Sequence, residues 1–296
     1  MRSKFALLAG LLALPAGCES VRPGRIELPE PLARAADPAP AAVVSVPTTP
    51  PGRHATRRGC CVFYHDFELD KSDPLFAELE ALPDQVFGEL RLQPGNAVVQ
   101  VFLFDTQDRY ERYMFDPKVG RYRGQPPRRA YFFVEPRIGG NDDLKVFTWM
   151  GGDLRTDLRH ELTHALLHGV LKDVPLWLDE GLAGYFELPP TQDGVNLQHL
   201  ETLRRGPFQP DLARLEKFDK VAQMQKPEYR EAWAWVHFML RGDLATKKVL
   251  LDYLQTLRTN PTPGAILPKL RDAQPDPDEA LADHLSKVEF PRQRRR

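Results

Sequence analysis

Two histidines placed four residues apart constrain this chain more than any other sequence feature. His160 and His164 lie in residues 156–169, which begin with polar side chains and end at a glycine, as α-helices do. Residues four apart project from one face of a helix, so the two imidazoles can reach the same metal ion. The spacing therefore predicts a metal-binding helix. A helix that merely buries two histidines is the alternative.

Glu161 follows the first histidine and completes the pattern His-Glu-Leu-Thr-His. Its offset of one residue is expected to place the carboxylate beside the open coordination position, where a water molecule would sit. A carboxylate at that point can take a proton from a water polarised by the metal. We predict that Glu161 is a general base and not a metal ligand.

A zinc site of this kind needs a third protein ligand. His168 continues the four-residue series, but it lies about 12 Å along the helix axis from His160 and cannot share the ion. The elongated metzincin pattern is excluded, because Leu167 and Val170 stand where it requires a glycine and a histidine. The ligand must therefore come from another segment.

The following segment, residues 175–186, predicts a second helix that begins at a proline and carries Glu180. Glycine in a helix interior costs about 1 kcal/mol, so Gly181 and Gly184 predict close approach of another backbone. We expect the His160 helix to supply that backbone, which makes Glu180 the favoured third ligand. Asp179, about 100° away around the helix, is the alternative.

Residues 160–164 (HELTH) and 175–183 (PLWLDEGLA) together resemble the gluzincin metallopeptidases. More narrowly, they are similar to the peptidase-MA-like families of exported bacterial proteins. The resemblance implies Zn²⁺ held by His160, His164 and Glu180, with Glu161 as the base. It also implies a small sheet whose edge strand binds an extended peptide above the zinc. Residues 144–149 are the candidate for that strand, and an internal strand is the equal alternative.

Gluzincins often add a tyrosine or histidine that stabilises the oxyanion. Tyr229, at the head of an amphipathic helix, resembles the residue in that position, while Tyr185 and His237 are alternatives. The zinc histidines also need hydrogen-bond acceptors for their other ring nitrogens. Asp157 and Asp179 are the candidates for these acceptors.

The order of secondary structure predicts an α+β fold with a small mixed sheet first and helices afterwards. Strands are expected at residues 62–69, 98–104, 130–135 and 144–150, with helices at 73–92 and from 106 to 114. Pro83 is expected to break or kink the first helix, and residues 139–142 form a turn. This gives a sheet-containing lobe at 59–155 and a helical lobe at 156–290, with the zinc site between them.

The N-terminal residues predict export. Residues 1–17 have a basic start and an apolar stretch, as signal peptides do, and residues 14–18 resemble a bacterial lipobox that lipidates Cys18. Pro15 departs from the lipobox pattern, so cleavage near Gly17 followed by secretion is the alternative. Residues 18–58 are rich in proline and alanine and predict a tether, and residues 291–296 predict a basic tail. A lipoprotein of the cell envelope is expected.

Composition and charge limit the classes of partner that the chain can bind. The net charge of −1 gives no field that favours nucleic acid, and no apolar run approaches the length of a membrane span. Membrane contact is therefore expected only through the lipid anchor. Adjacent Cys60 and Cys61 are interpreted as structural or incidental. The leading hypothesis is a monomeric zinc-dependent peptidase acting on peptides or proteins, and the alternative is a catalytically silent scaffold of the envelope.

Overall fold

The computed structural model describes residues 49–138 and 141–290. The predicted signal peptide, Cys18, most of the predicted tether and the basic tail lie outside the described residues. So do Gly139 and Gly140 of the predicted turn.

A five-stranded mixed sheet occupies the first half of the described chain. Its strand order is β1-β2-β3-β5-β4. The three inner strands run parallel to one another, and each outer strand is antiparallel to its neighbour. The strands are β1 (His54–Arg58), β2 (Cys61–His65), β3 (Val99–Phe104), β4 (Tyr131–Glu135) and β5 (Asp143–Trp149). Helices follow the sheet, so the predicted α+β class is confirmed.

The strand β1 differs from the expectation, because the sequence predicts a tether up to residue 58. Its sequence, HATRR, has mostly exposed side chains and therefore no apolar alternation that would predict a strand. Backbone pairing with β2 forms it, in a register from His54 opposite His65 to Arg58 opposite Cys61. The ordered fold thus begins before residue 59.

Helices cover both faces of the sheet. Helix α1 (Pro74–Leu90) connects β2 to β3, and α2 (Gln107–Phe115) follows β3. The expected break at Pro83 is wrong, since α1 continues through it to Leu90. Seven of its residues are buried, and this packing outweighs the backbone hydrogen bond that proline cannot donate.

The second half of the described chain is helical. It contains α3 (Leu154–His168), α4 (Leu176–Phe186), α5 (Leu197–Arg205), α6 (Leu212–Leu215), α7 (Lys226–Arg241), α8 (Leu244–Leu257), α9 (Leu267–Ala273) and α10 (Pro277–Lys287). Helix α3 packs against β5, β4, α1 and α4, and α4 packs most extensively against α7. Helix α3 therefore lies between the sheet and the remaining helices.

Side chains from the sheet and the helices share a continuous hydrophobic core. In β3, Val99, Val101 and Leu103 join this core, while Phe104 belongs to an aromatic cluster under α2. This alternation follows from the two-residue period of a strand. Among the described helices, none is both long and apolar enough to cross a membrane.

Candidate metal centre

Three side chains from α3 and α4 converge at one point. Nε2 of His160 lies 3.3 Å from Nε2 of His164. Oε2 of Glu180 lies 3.4 Å from the first of these nitrogens and 3.6 Å from the second. His164 and Glu180 are buried and His160 is partly exposed. The two predicted histidines and the predicted glutamate thus form one triad.

The triad fits a tetrahedral metal ion. With metal–ligand bonds of about 2.0–2.1 Å, the edges of a tetrahedron measure about 3.3–3.4 Å, close to the three observed separations. Oε2 of Glu180 is also buried without a hydrogen-bond donor in the described part of the chain. An oxygen of this kind costs free energy unless a cation or donor compensates it. The triad is therefore a possible metal site.

The electrostatics of the triad also favour a cation. Burial lowers the pKa of His160, but contacts with Glu180 and Glu187 outweigh burial and raise it to about 10. The pKa of His164 is likewise raised, because Asp179 and Glu180 outweigh the effect of burial. Burial opposes ionisation of Glu180, yet its contacts with both histidines hold its pKa below the usual value. Positive charge is stabilised between these groups.

Two carboxylates outside the triad contact the other ring nitrogens of the histidines. Nδ1 of His160 lies 3.0 Å from Oε2 of Glu187, which follows the last residue of α4. Nδ1 of His164 lies 2.9 Å from Oδ1 of Asp179. Each contact occupies Nδ1 and leaves Nε2 facing the other triad atoms. This is how a carboxylate orients a histidine that binds a metal through its other ring nitrogen.

The two sequence candidates for these acceptors had different outcomes. Oδ1 of Asp179 forms an ion-pair contact with Nδ1 of His164, but Asp157 lies 3.1 Å from Nε of Arg129 and pairs with neither triad histidine. Glu187 pairs with His160 in its place. No sequence spacing pointed to Glu187, because the turn after α4 brings it back to α3 from 27 residues away.

His168 stands beside the triad without joining it. Its Nε2 lies 3.0 Å from Oδ2 of Asp179, so Asp179 bridges His168 and His164. The exclusion of His168 from the ligand set agrees with this placement. Contacts with two histidines, stronger than the opposing effect of burial, lower the pKa of Asp179 to about 2.

A buried arginine fixes the end of α4. Arg159, next to the first triad histidine, donates hydrogen bonds to the carbonyl oxygens of Phe186, Glu187 and Leu188. Its guanidinium also lies 3.3 Å from Glu78 of α1. Because backbone carbonyls at a helix C-terminus lack intrahelical donors, Arg159 satisfies them and positions Glu187 near His160.

Gly181 brings α4 close to α7 and not to α3. A Cβ at Gly181 would lie 2.6 Å from the carbonyl oxygen of Ala232, which is closer than packing allows. The expected approach of the His160 helix at this glycine is therefore wrong, because α7 supplies the backbone. At Gly184 a Cβ would meet only Cβ of Trp233, at 3.9 Å. Only one of the two glycines is required by a close contact.

Tyr229, from the first turn of α7, reaches the triad. Its hydroxyl lies 3.4 Å from Oε1 of Glu180 and accepts a hydrogen bond of 2.7 Å from Arg128. The two alternatives lie elsewhere. Tyr185 packs against Phe186 and Gly194. His237 pairs with His284 in the core.

The triad lies in a cleft with a volume of ≈ 520 Å³. Glu161 lines this cleft but does not belong to the group of converging ligand atoms. Burial raises the pKa of Glu161, and the neighbouring histidines partly offset this effect. A larger depression of ≈ 1320 Å³ lies beside β1 and includes none of the triad residues.

The edge strand at the cleft is β4 and not the predicted segment 144–149. That segment forms β5, which pairs with β3 on one side and β4 on the other, so it is internal. Parallel pairing with β3 uses one edge of β5, and its antiparallel neighbour β4 covers the other. Tyr131, Phe132 and Phe133 of β4 line the cleft.

Part of the chain matches a described protein family. Residues 156–262, which include most of α3 and all of α4 and α7, match a family described as "Protein of unknown function (DUF1570)". No curated protein matches the chain. The segment that carries the triad is thus similar to a family whose description assigns no activity.

Proposed function

We propose that this chain is a zinc-dependent peptidase of the gluzincin type that hydrolyses bonds in peptide or protein substrates. The observation that supports this most is the convergence of His160, His164 and Glu180 in a cleft that Glu161 also lines. Two histidines and a glutamate are a ligand set of catalytic zinc sites, in which one position stays open. Magnesium would favour oxygen ligands over two imidazoles.

Glu161 and Tyr229 have defined parts in this proposal. Bound Zn²⁺ would supply a Lewis acid that polarises the scissile carbonyl and acidifies water. Glu161 accepts a proton from the attacking water and passes it to the departing amine. Its carboxylate lines the cleft beside the triad, where it can both take and give a proton. Tyr229 donates a hydrogen bond to the developing oxyanion.

The substrate binds in an extended form along β4. This strand pairs with β5 on one side only within the described residues, and its aromatic side chains line the cleft. An unpaired strand edge offers backbone donors and acceptors to a peptide, which then adds to the sheet. Such binding places a peptide bond beside α3.

Zinc content and cleavage, measured on the same preparations, test the proposal. The purified chain should hold one Zn²⁺ and cleave members of a diverse peptide library. Glu161→Gln keeps the size of the side chain but removes the base, so zinc content and melting temperature should stay near the original. Cleavage should fall at least about a hundredfold. If the chain binds zinc but cleaves no peptide, and so behaves as the Gln variant does, the result would favour the scaffold alternative.

Export through a lipidated Cys18 is a separate proposal, which rests on the N-terminal sequence. A chain expressed with its own leader should partition with membranes, and Cys18→Ser should release it. Equal partitioning of both forms would point to secretion without a lipid.

A further inference from the structure

Arg128 places a positive charge in the cleft beside the triad. It precedes β4 and lines the cleft together with His160, Glu161 and Glu180. Its backbone is fixed, because the hydroxyl of buried Tyr110 donates to the carbonyl oxygen of Arg128 at 2.8 Å. The backbone that carries the guanidinium is therefore anchored close to the expected point of chemistry.

The charge of Arg128 has no carboxylate partner in the part of the chain that the structure describes. The nearest polar contact of the guanidinium is the uncharged hydroxyl of Tyr229, at 2.7 Å. A guanidinium has five N–H donors, so most of its hydrogen-bonding capacity remains for a ligand. The side chain is half-buried, which makes an unpaired charge more costly than it is at the surface.

The neighbouring arginine provides a direct contrast. Arg129 is exposed, and its guanidinium lies 2.5 Å from Asp153 and 3.1 Å from Asp157. Two adjacent residues of the same type thus differ in environment. One is neutralised by the protein's own carboxylates, and the other faces the cleft without one.

A second cation lines the same cleft. Lys220 is exposed, and within the described residues it too has no ion-pair partner. Three acidic residues also line the cleft: Asp179 contacts two histidines, Glu180 belongs to the triad, and Glu161 is assigned as the base. None of them forms an ion pair with Arg128 or Lys220 within the described residues, so both cations remain available to a ligand.

We propose that Arg128 binds a carboxylate of the substrate and so positions the adjoining peptide bond at the triad. The carboxylate is either the C-terminal group or the side chain of an aspartate or glutamate. The planar guanidinium matches a carboxylate with two parallel hydrogen bonds, which fixes orientation as well as affinity. This inference rests on the proposed function, because it names the substrate class of the same cleft.

A simpler reading of Arg128 makes a different prediction. If Arg128 served only to hold the hydroxyl of Tyr229, its loss would affect all peptides alike. Tyr229→Phe would then reproduce the effect of Arg128→Gln. A carboxylate-binding residue instead distinguishes acidic peptides from neutral ones, and Tyr229→Phe leaves that distinction in place.

Binding to the full chain tests the proposal without requiring cleavage. The zinc-loaded Glu161→Gln protein is titrated against fluorescent octapeptide pools, and affinity is read from fluorescence anisotropy. The pools contain or lack Asp and Glu, and each is made with a free or an amidated C-terminus. Pools that carry the relevant carboxylate should bind at least about tenfold more tightly than the neutral amidated pool. The pool that keeps this advantage identifies the carboxylate as terminal or side-chain.

Variants of the two adjacent arginines complete the experiment. Arg128→Gln should abolish the preference, while Arg128→Lys, which keeps the charge but loses the planar fork, should retain part of it. Arg129→Gln removes the same charge one residue away and should leave the preference intact. Equal binding of all pools, no measurable binding, or equal effects of the two Gln variants would overturn the inference. Cleavage without any carboxylate preference would overturn it while leaving the proposed function standing.

Discussion

Oε2 of Glu187 lies 3.0 Å from Nδ1 of His160, and this contact ties the end of α4 to the middle of α3. The other carboxylate oxygen of Glu187 accepts from Nδ2 of Asn196 at 3.3 Å. Asn196 also caps α5 by accepting from the backbone N–H of His199. The orientation of the first triad histidine therefore depends on three segments of the chain, and only one of them carries the histidine itself.

Loss of the Glu187 carboxylate should weaken metal binding. Glu187→Ala removes the group that orients His160, and replacement of such partners typically costs tenfold to a hundredfold in metal affinity. Glu187→Gln keeps an acceptor oxygen and should cost less. Competition with a chromophoric chelator measures the dissociation constants. Glu201→Gln is the control, since Glu201 pairs with Arg205 on α5. The same affinity in the Ala variant and the control would show that Glu187 does not orient the ligand.

Asp179 and Glu180 are adjacent in sequence but should behave differently when neutralised. Glu180→Gln removes a charged ligand from the triad and should reduce zinc content to a small fraction of one ion per chain. Asp179→Asn keeps one oxygen toward His164 or His168, so zinc should remain bound with lower affinity. Elemental analysis after dialysis measures both. Greater zinc loss in the Asp179 variant would reverse the ligand assignment.

Local spacing was enough to predict the part of the site that a single helix controls. Residues four apart on a helix always share a face, so His160 and His164 could be paired without knowledge of the fold. Glu180 was favoured because of the glycines in its helix, and it does reach the triad, although the backbone that approaches Gly181 is that of α7 and not of α3. The α+β class could be predicted because strand-like segments come first in the sequence and helix-like segments follow.

Features that depend on tertiary structure could not be predicted from the sequence. Glu187 approaches His160 only because the carbonyl oxygens at the end of α4 bind Arg159 of α3. The sequence does not show which of β4 and β5 lies at the edge, because the two strands have similar composition. The edge position of β4 depends on the parallel pairing of β5 with β3. The partner of Gly181 was misassigned because a glycine indicates close approach without saying which backbone approaches.

The two glycines of α4 should respond in opposite ways to alanine. Gly181→Ala places a methyl group against the backbone of Ala232 and should destabilise the fold by about 2 kcal/mol or more. Gly184→Ala meets only ordinary contact and should be neutral or stabilising by up to about 1 kcal/mol, because alanine favours helix. Urea unfolding of the metal-free chains measures both. Equal changes in the free energy of unfolding would refute the assigned close approach.

A histidine pair between α7 and α10 should make stability depend on pH between about 4 and 6.5. Nδ1 of His237 lies 2.9 Å from Nε2 of His284, and burial lowers their pKa values to about 3 and about 4. The nearby charges of His284 and Arg241 add to the lowering at His237. Both rings are therefore neutral in the folded chain well below the pH at which an unfolded histidine, with a pKa of about 6.5, takes a proton.

The sign of the effect follows from proton uptake by the unfolded chain. As pH falls from about 6.5 towards 4, the unfolded state binds protons that the folded pair does not, so stability decreases. Each histidine should contribute a slope on the order of 1 kcal/mol per pH unit. His284→Gln should flatten the dependence measured by urea unfolding at pH 4.5 to 7. His54→Gln, on the exposed strand β1, should leave it unchanged. An unaltered slope in the first variant would rule out the pair as its source.

The hydroxyl of Tyr229 should be needed for turnover and not for holding the metal. It lies 3.4 Å from Oε1 of Glu180, whereas the triad contacts of that residue are made by Oε2. Tyr229→Phe should therefore leave zinc content and melting temperature near the original values. Removal of one oxyanion donor should lower kcat by about a hundredfold or more, with a smaller change in KM. Tyr185→Phe is the control, because Tyr185 packs away from the cleft against Gly194. Loss of zinc in the Tyr229 variant would instead mean that its contact with Glu180 supports the ligand, and an unchanged kcat would remove Tyr229 from the reaction.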